Sequence, residues 1–110
     1  MPNVKVHVTE TVLKDKRAAL VAMLPDLRET IMAAFSAPQS VCHLTILPCI
    51  GLEDQADILV DVHYLAMPDR TAELASAAGD TIRQLFIDAT GQRPDVRLVS
   101  LAAEDYVALR

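Results

Sequence analysis

The sequence predicts an α+β fold in which two β-α-β units build a four-stranded sheet with both helices on one face. Three observations carry that expectation. Val4, Val6 and Val8 alternate with Lys5, His7 and Thr9 at the start of the chain. Two long stretches repeat apolar residues at helical spacing, and the pattern of the first half returns about 55 residues later.

The opening alternation is the period-two pattern of a strand with one buried face. From about Lys14 to Ser36, Leu20, Leu24, Leu27, Ile31 and Phe35 recur at the spacing of an amphipathic helix. Pro25 falls inside that stretch; it lacks an amide donor and its ring crowds the carbonyl of Val21, so a kink or a break is expected there. Pro38 marks a turn, and Val41 to Leu47 reads as an apolar, β-branched strand that Pro48 is expected to stop. Residues 51–55 form a polar connection.

Ile58, Val60, Val62 and Tyr64 alternate as a third strand. Pro68-Asp69-Arg70-Thr71 supplies turn and helix-start chemistry, with Asp69 or Thr71 as N-cap. The second helix carries a stripe of Ala75, Ala78, Ile82, Leu85, Phe86 and Ala89, and Gly91 can adopt the left-handed stop that follows. Val96 to Leu101 is the fourth strand. Sliding one half onto the other sets Leu27 on Ile82, Ile31 on Phe86, Pro38 near Pro94 and Val41 on Val96.

The 110 residues fit a single domain, 1–110, with one β-α-β half at 1–50 and the other at 56–110. A right-handed crossover makes the strands within each half parallel and sets both helices on one sheet face. No further helix covers the other face, so self-association is the simplest cover.

Composition narrows the function. Fifteen acidic against ten basic residues give a formal charge of -5, which lacks the positive field that draws proteins to phosphate backbones or anionic membranes. Neither nucleic acid nor membrane is an expected partner. The start of the chain shows no basic region followed by an apolar run, and no segment reaches membrane-spanning length, so a cytoplasmic protein is expected. Cys42 and Cys49 have neither CxxC nor zinc-ligand spacing and read as buried free thiols. His7, His43 and His63 lie on three different strands without a ligand pattern, so no metal site is expected.

Met1-Pro2 followed directly by an alternating strand and two β-α-β units resembles the tautomerase superfamily, whose members use an amino-terminal proline as catalytic base or acid. The likeness spans nearly the whole chain. Pro68-Asp69-Arg70-Thr71-Ala72-Glu73-Leu74 is similar to the Arg-Ser/Thr-x-Glu turn of the 4-oxalocrotonate tautomerase and malonate semialdehyde decarboxylase branches, which implies a substrate-binding role for Arg70. Asp95 to Leu101 resembles the strand that carries a second functional arginine, here Arg97. Glu104-Asp105-Tyr106 resembles the decarboxylase tail and gives Tyr106 a place in the site.

The first half departs from the pattern, with Val12 or Leu13 where the loop arginine belongs and Cys42 where the strand arginine belongs. The resemblance therefore implies Pro2 of one half working beside arginines of the other, in a homotrimer with three sites. Gln39 and Ser40 stand where the decarboxylase carries an acid, which weakens a decarboxylase reading.

The chemistry follows from the functional groups. Within a peptide the proline nitrogen is an amide without useful basicity; removal of Met1 makes it a secondary amine. An α-amino group titrates at about 7.7 to 8.0, and desolvation or nearby guanidinium groups depress it toward the range of a general base. Arginine binds a carboxylate through two parallel hydrogen bonds and stabilises a developing enolate oxygen. The expected activity is 1,3-keto-enol tautomerisation of a small 2-hydroxydienoate or 2-oxo acid, with Pro2 moving the proton, Arg70 and Arg97 holding oxygens, and no cofactor. The alternatives are a hydratase, dehalogenase or decarboxylase with a cationic Pro2, and a non-catalytic trimeric binding protein. Read without the resemblance, Arg70 is a solvated helix-start residue, Arg97 a surface charge, and Tyr64 and Tyr106 half-buried aromatics at a sheet edge.

Overall fold

The alternation at the start of the chain becomes strand β1 (Asn3–Thr9), with Val4, Val6 and Val8 fully buried and Lys5 exposed. The structure is a computed structural model that describes residues 2–110; Met1, whose removal the proline chemistry requires, lies outside the described residues. Helix α1 (Glu10–Phe35) follows β1 without a loop and buries Val12, Leu20, Met23, Leu27, Ile31 and Phe35 along one side.

The break expected at Pro25 is absent, and the departure from helical geometry lies instead at Lys16, with φ -116° and ψ 15°. Pro25 and Val21 both lie on the solvent side, so the Val21 carbonyl that loses its helical donor faces water. Core residues on the opposite side hold the helix through the defect. The Lys16 departure separates a short first segment from the longer part that carries the repeating stripe.

The two helices stop in the same way. Ser36 (φ 49°) and Gly91 (φ 73°) are both left-handed, and their N–H groups donate to the carbonyls of Met32 and Ile87. These stops lie about 55 residues apart, so the repeat reaches the helix termini as well as the apolar stripes.

Strand β2 (His43–Cys49) starts later than the sequence suggests, because residues 39–41 wind into a single 3-10 turn that takes up Val41. Pro48 does not end it. β2 is an edge strand, where a residue without an amide donor is tolerated, and Pro48 stays in register opposite Val8.

Strand β3 (Ile58–Leu65) leads to helix α2 (Ala72–Thr90), then to β4 (Asp95–Leu101). Thr71 is the N-cap of α2, its hydroxyl accepting from the Leu74 N–H at 3.2 Å. The sheet order is β2-β1-β3-β4. β1 and β2 are parallel, β3 and β4 are parallel, and the halves meet through the antiparallel pair β1 and β3.

Leu20, Leu27, Ile31 and Phe35 of α1 and Ile82 and Phe86 of α2 pack on Val4, Val6, Val8, Ile58, Val60 and Val62 in one core. The opposite sheet face carries Lys5, His7, Asp61, His63 and Arg97, the residues that alternate with the buried set. Across it His7 Nε2 lies 3.6 Å from Asp61 Oδ2. Among the described residues no helix is long and apolar enough to cross a membrane.

Two substitutions test this account by thermal or denaturant unfolding. Phe86→Ala leaves a cavity at the centre of the core and lowers stability by about 3 to 5 kcal/mol. Gly91→Ala meets no atom within 4 Å. It therefore loses only what a Cβ costs in a left-handed conformation, about 1 kcal/mol.

Candidate active site around Pro2

Pro2 is buried at the head of β1, where its carbonyl accepts the His43 N–H at 3.2 Å and extends the β1–β2 ladder by one step. Around it lies a cleft of about 350 Å³ lined by Pro2, Asn3, Ser40, Val41, Cys42, His43, Tyr106 and Arg110. The single turn at residues 39–41 shapes one wall. The tail after β4 supplies the other, where a second 3-10 turn (Ala103–Asp105) carries the chain back to bring Tyr106 into the lining. Glu104 and Asp105 are exposed and do not line the cleft.

A second cleft of about 450 Å³ adjoins the first and shares Cys42 and His43 with it. Its other walls are Leu24, Pro25 and Arg28 of α1 and Leu44 of β2. The Cys42–His43 segment is thus a ridge between two hollows, one headed by Pro2 and one by Arg28.

Arg70 sits at the same end of the sheet. Its Nη1 donates to the Leu65 carbonyl and its Nη2 to the Phe35 carbonyl, both at 2.8 Å. Its guanidinium also lies 5.7 Å from the centre of the Phe35 ring, which stacks on Tyr64 at 4.6 Å. Phe35 ends α1, and that helix has no basic residue in its last turn. Arg70 brings a cation from another element to the negative end of the α1 dipole. The guanidinium keeps unused N–H groups, including a buried Nε without a partner.

The electrostatics of the ridge tie these groups together. Burial pushes the Cys42 thiol up from its ordinary value, while the positive charges of Arg28 and Arg70 pull it partway back. Both arginines therefore act on the residue that borders the Pro2 cleft. Cys42 and Cys49 are free thiols, half-buried rather than enclosed as the sequence suggests.

Arg97 lies elsewhere within the chain. Val96 and Leu98 on either side of it pack toward the core, so Arg97 points from the open sheet face, in register with Asp61 and exposed. It lines neither cleft. In the first half, Val12 is buried in the core and Leu13 packs against it, so neither position offers a polar group to a site.

The structure thus brings Pro2 and Tyr106 into one cleft, sets Arg70 outside its lining but within electrostatic reach of Cys42, and keeps Arg97 on the open sheet face. Sequence reading missed Arg28 and Arg110. Arg28 follows Leu27 at the margin of the apolar stripe of α1, a position that looks like ordinary solvated surface. Arg110 reaches the cleft only through the path of the tail. His43 and His63 share the open face with His7, and among the described residues no three metal-ligating side chains converge.

No protein-family model and no curated protein sequence matches the chain. Solved structures do match its fold. The fused 4-OT wild-type symmetric trimer superposes with a TM-score of 0.79 at 21% identity, covering 97% of this chain and 91% of that one. Malonate semialdehyde decarboxylase gives 0.68 at 17% identity, over 99% and 92% of the two chains. A macrophage migration inhibitory factor-like protein from Entamoeba histolytica gives 0.67 at 10% identity, over 97% and 94%. With two β-α-β halves joined by an antiparallel strand pair, and likeness to all three over nearly its full length, the chain has the tautomerase-superfamily fold.

Proposed function

We propose that this protein is an amino-terminal-proline tautomerase that interconverts enol and keto forms of a small 2-oxo carboxylic acid, with the freed Pro2 nitrogen as general base. The observation that carries the reading is the position of Pro2, buried at the head of a cleft that holds Tyr106 and Arg110 and no Asp or Glu side chain. Desolvation and neighbouring guanidinium charge both disfavour protonation of an amine, so both push its pKa below the ordinary α-amino value. The proline is then available as a base near neutral pH.

In the reaction, the Pro2 nitrogen takes the proton of the substrate's 2-hydroxyl as the O–H bond breaks. The electron pair forms the C=O bond, the C=C pair moves out to carbon, and the proton returns there to form a C–H bond. Negative charge passes through the enolate oxygen, where the unused N–H groups of Arg70 stabilise it. Tyr106 donates a hydrogen bond from the cleft wall.

Arg97 belongs to this scheme through assembly. The open sheet face needs a cover, and a homotrimer like the one named for the fused 4-OT structure supplies it from neighbouring sheets. Arg97 then serves the Pro2 site of an adjacent subunit, binding the substrate carboxylate. The cationic-proline reactions use the same groups with the proton held on Pro2 at the outset. The likeness in fold to malonate semialdehyde decarboxylase supports this second reading, and the absence of an Asp or Glu side chain from the lining weighs against decarboxylation.

Three outcomes follow. Pro2→Ala protein, folded as judged by circular dichroism, loses at least about 100-fold in kcat toward 2-hydroxydienoates; unchanged turnover refutes the amine mechanism. Protein that keeps Met1, identified by intact mass, is inactive in the same assay. Arg70→Ala lowers both kcat/KM and unfolding stability, the latter by about 2 to 3 kcal/mol because two charge-assisted bonds to backbone carbonyls vanish. A stability loss with full activity would assign Arg70 to the scaffold alone.

A further inference from the structure

We infer that the open sheet face is a proton-gated interface between copies of this chain, closed while its histidines are neutral and loosened as they take up protons. The inference rests on the assembly proposed above and goes beyond it, from the need for a cover to the condition under which the cover holds. Because the proposed Pro2 site takes Arg97 from an adjacent subunit, the same gate decides whether that site is complete.

Placement comes first. The chain has three histidines, and the strand registers set all three on this one face. Side chains cross the face in rows. His43, Asn3, His63 and Val99 stand in register at the Pro2 end. Thr45, Lys5, Asp61 and Arg97 make the next row, and Leu47, His7, Leu59 and Asp95 the third. Beyond them lie Thr9 and Cys49, with Asp57 accepting the Thr9 hydroxyl at 2.9 Å.

The second argument is charge. Lys5 and Arg97 are balanced across the middle rows by Asp61 and Asp95, so the face is close to neutral while the imidazoles are neutral. Protonation adds three positive charges per copy. His7 has a nearby acid, its Nε2 lying 3.6 Å from Asp61 Oδ2. That carboxylate already stands between Lys5 and Arg97 in its own row. The row of His43 and His63 contains no carboxylate, so closure leaves their charge without a counter-ion.

The third argument identifies the occupant as a second copy. The edge strands present Leu47 and Val99, 37% and 42% exposed, on either side of the charged central rows. Apolar margins around a face that carries both signs of charge in equal number are self-complementary. A partner of one charge sign would leave half of those groups unmatched.

The direction of the gate follows from these placements. Covering a charged imidazole removes its water and brings it near the same charge on a neighbouring copy, whereas the open face leaves it hydrated. Protons therefore bind separated copies better than assembled ones. Assembly is strongest above the ordinary imidazole value of about 6.5 and weakens as pH falls through it.

Sedimentation of the full chain over a concentration series at fixed ionic strength tests this, with circular dichroism reporting the fold at each pH. Between about pH 8 and about pH 5.5, a window above the ordinary aspartate value of about 3.9, the concentration at half-assembly is expected to rise at least tenfold. Each of His43→Gln and His63→Gln is expected to reduce that response, and the two together to abolish it while assembly at about pH 8 is kept. His7→Gln is expected to retain most of it. Equal wild-type assembly at both pH values overturns the proposal, and so does a response that persists in full in the single and double variants. A chain that stays monomeric at about pH 8 is a separate result: it refutes the proposed assembly itself, and the gate with it.

Discussion

β1 and β3 run antiparallel at the centre of the sheet, with Asn3 opposite His63 and Val8 opposite Ile58. Because the halves meet head to tail, the start of the first half lies beside the end of the third strand and the turn that follows it. That turn carries Arg70. A parallel junction would have sent the same turn to the far end of the sheet, away from Pro2. The pairing is held by buried valines on one face and by the His7–Asp61 contact on the other. The ties from Arg70 to Leu65 and Phe35 then fasten the second half's loop to the first half's helix.

This geometry makes Arg70 part of the scaffold and, in the proposed mechanism, part of the site. Two of its donors are committed to backbone carbonyls, which fixes the orientation of the planar fork and lowers the entropy lost when the remaining donors meet a ligand. The raised thiol of Cys42 reports the same surroundings from a different group. There desolvation outweighs the attraction of two arginines for a thiolate. For a proline amine the two effects have the same sign, since burial and nearby cations both favour the neutral form. One environment thus works against a thiolate and in favour of a basic amine.

Most of the architecture was legible from periodicity. The valine alternation, the two apolar stripes and the Gly91 stop fixed strand, helix and terminus, because burial on one face imposes those spacings directly. The features that escaped depend on context. Pro25 and Pro48 are individually helix- and strand-breaking, but one lies on a solvated helix side and the other on a sheet edge, where the lost hydrogen bond goes to water. Ser36 takes the same left-handed stop as Gly91 without the residue type that would announce it. Pro2 stood out by position, whereas Arg28 becomes visible only when α1 docks beside the start of β2, and Arg110 only when the tail folds back. Arg97 was legible as strand chemistry, but the use proposed for it depends on a neighbouring subunit.

The central claim is that the freed Pro2 nitrogen is a neutral base in a dry, cationic setting. The most direct measurement is an NMR titration of that nitrogen in protein shown by mass to lack Met1. The account predicts a pKa well below the ordinary α-amino value of about 7.7 to 8.0. A value above about 8 would contradict it, since the proline would then enter the reaction already protonated.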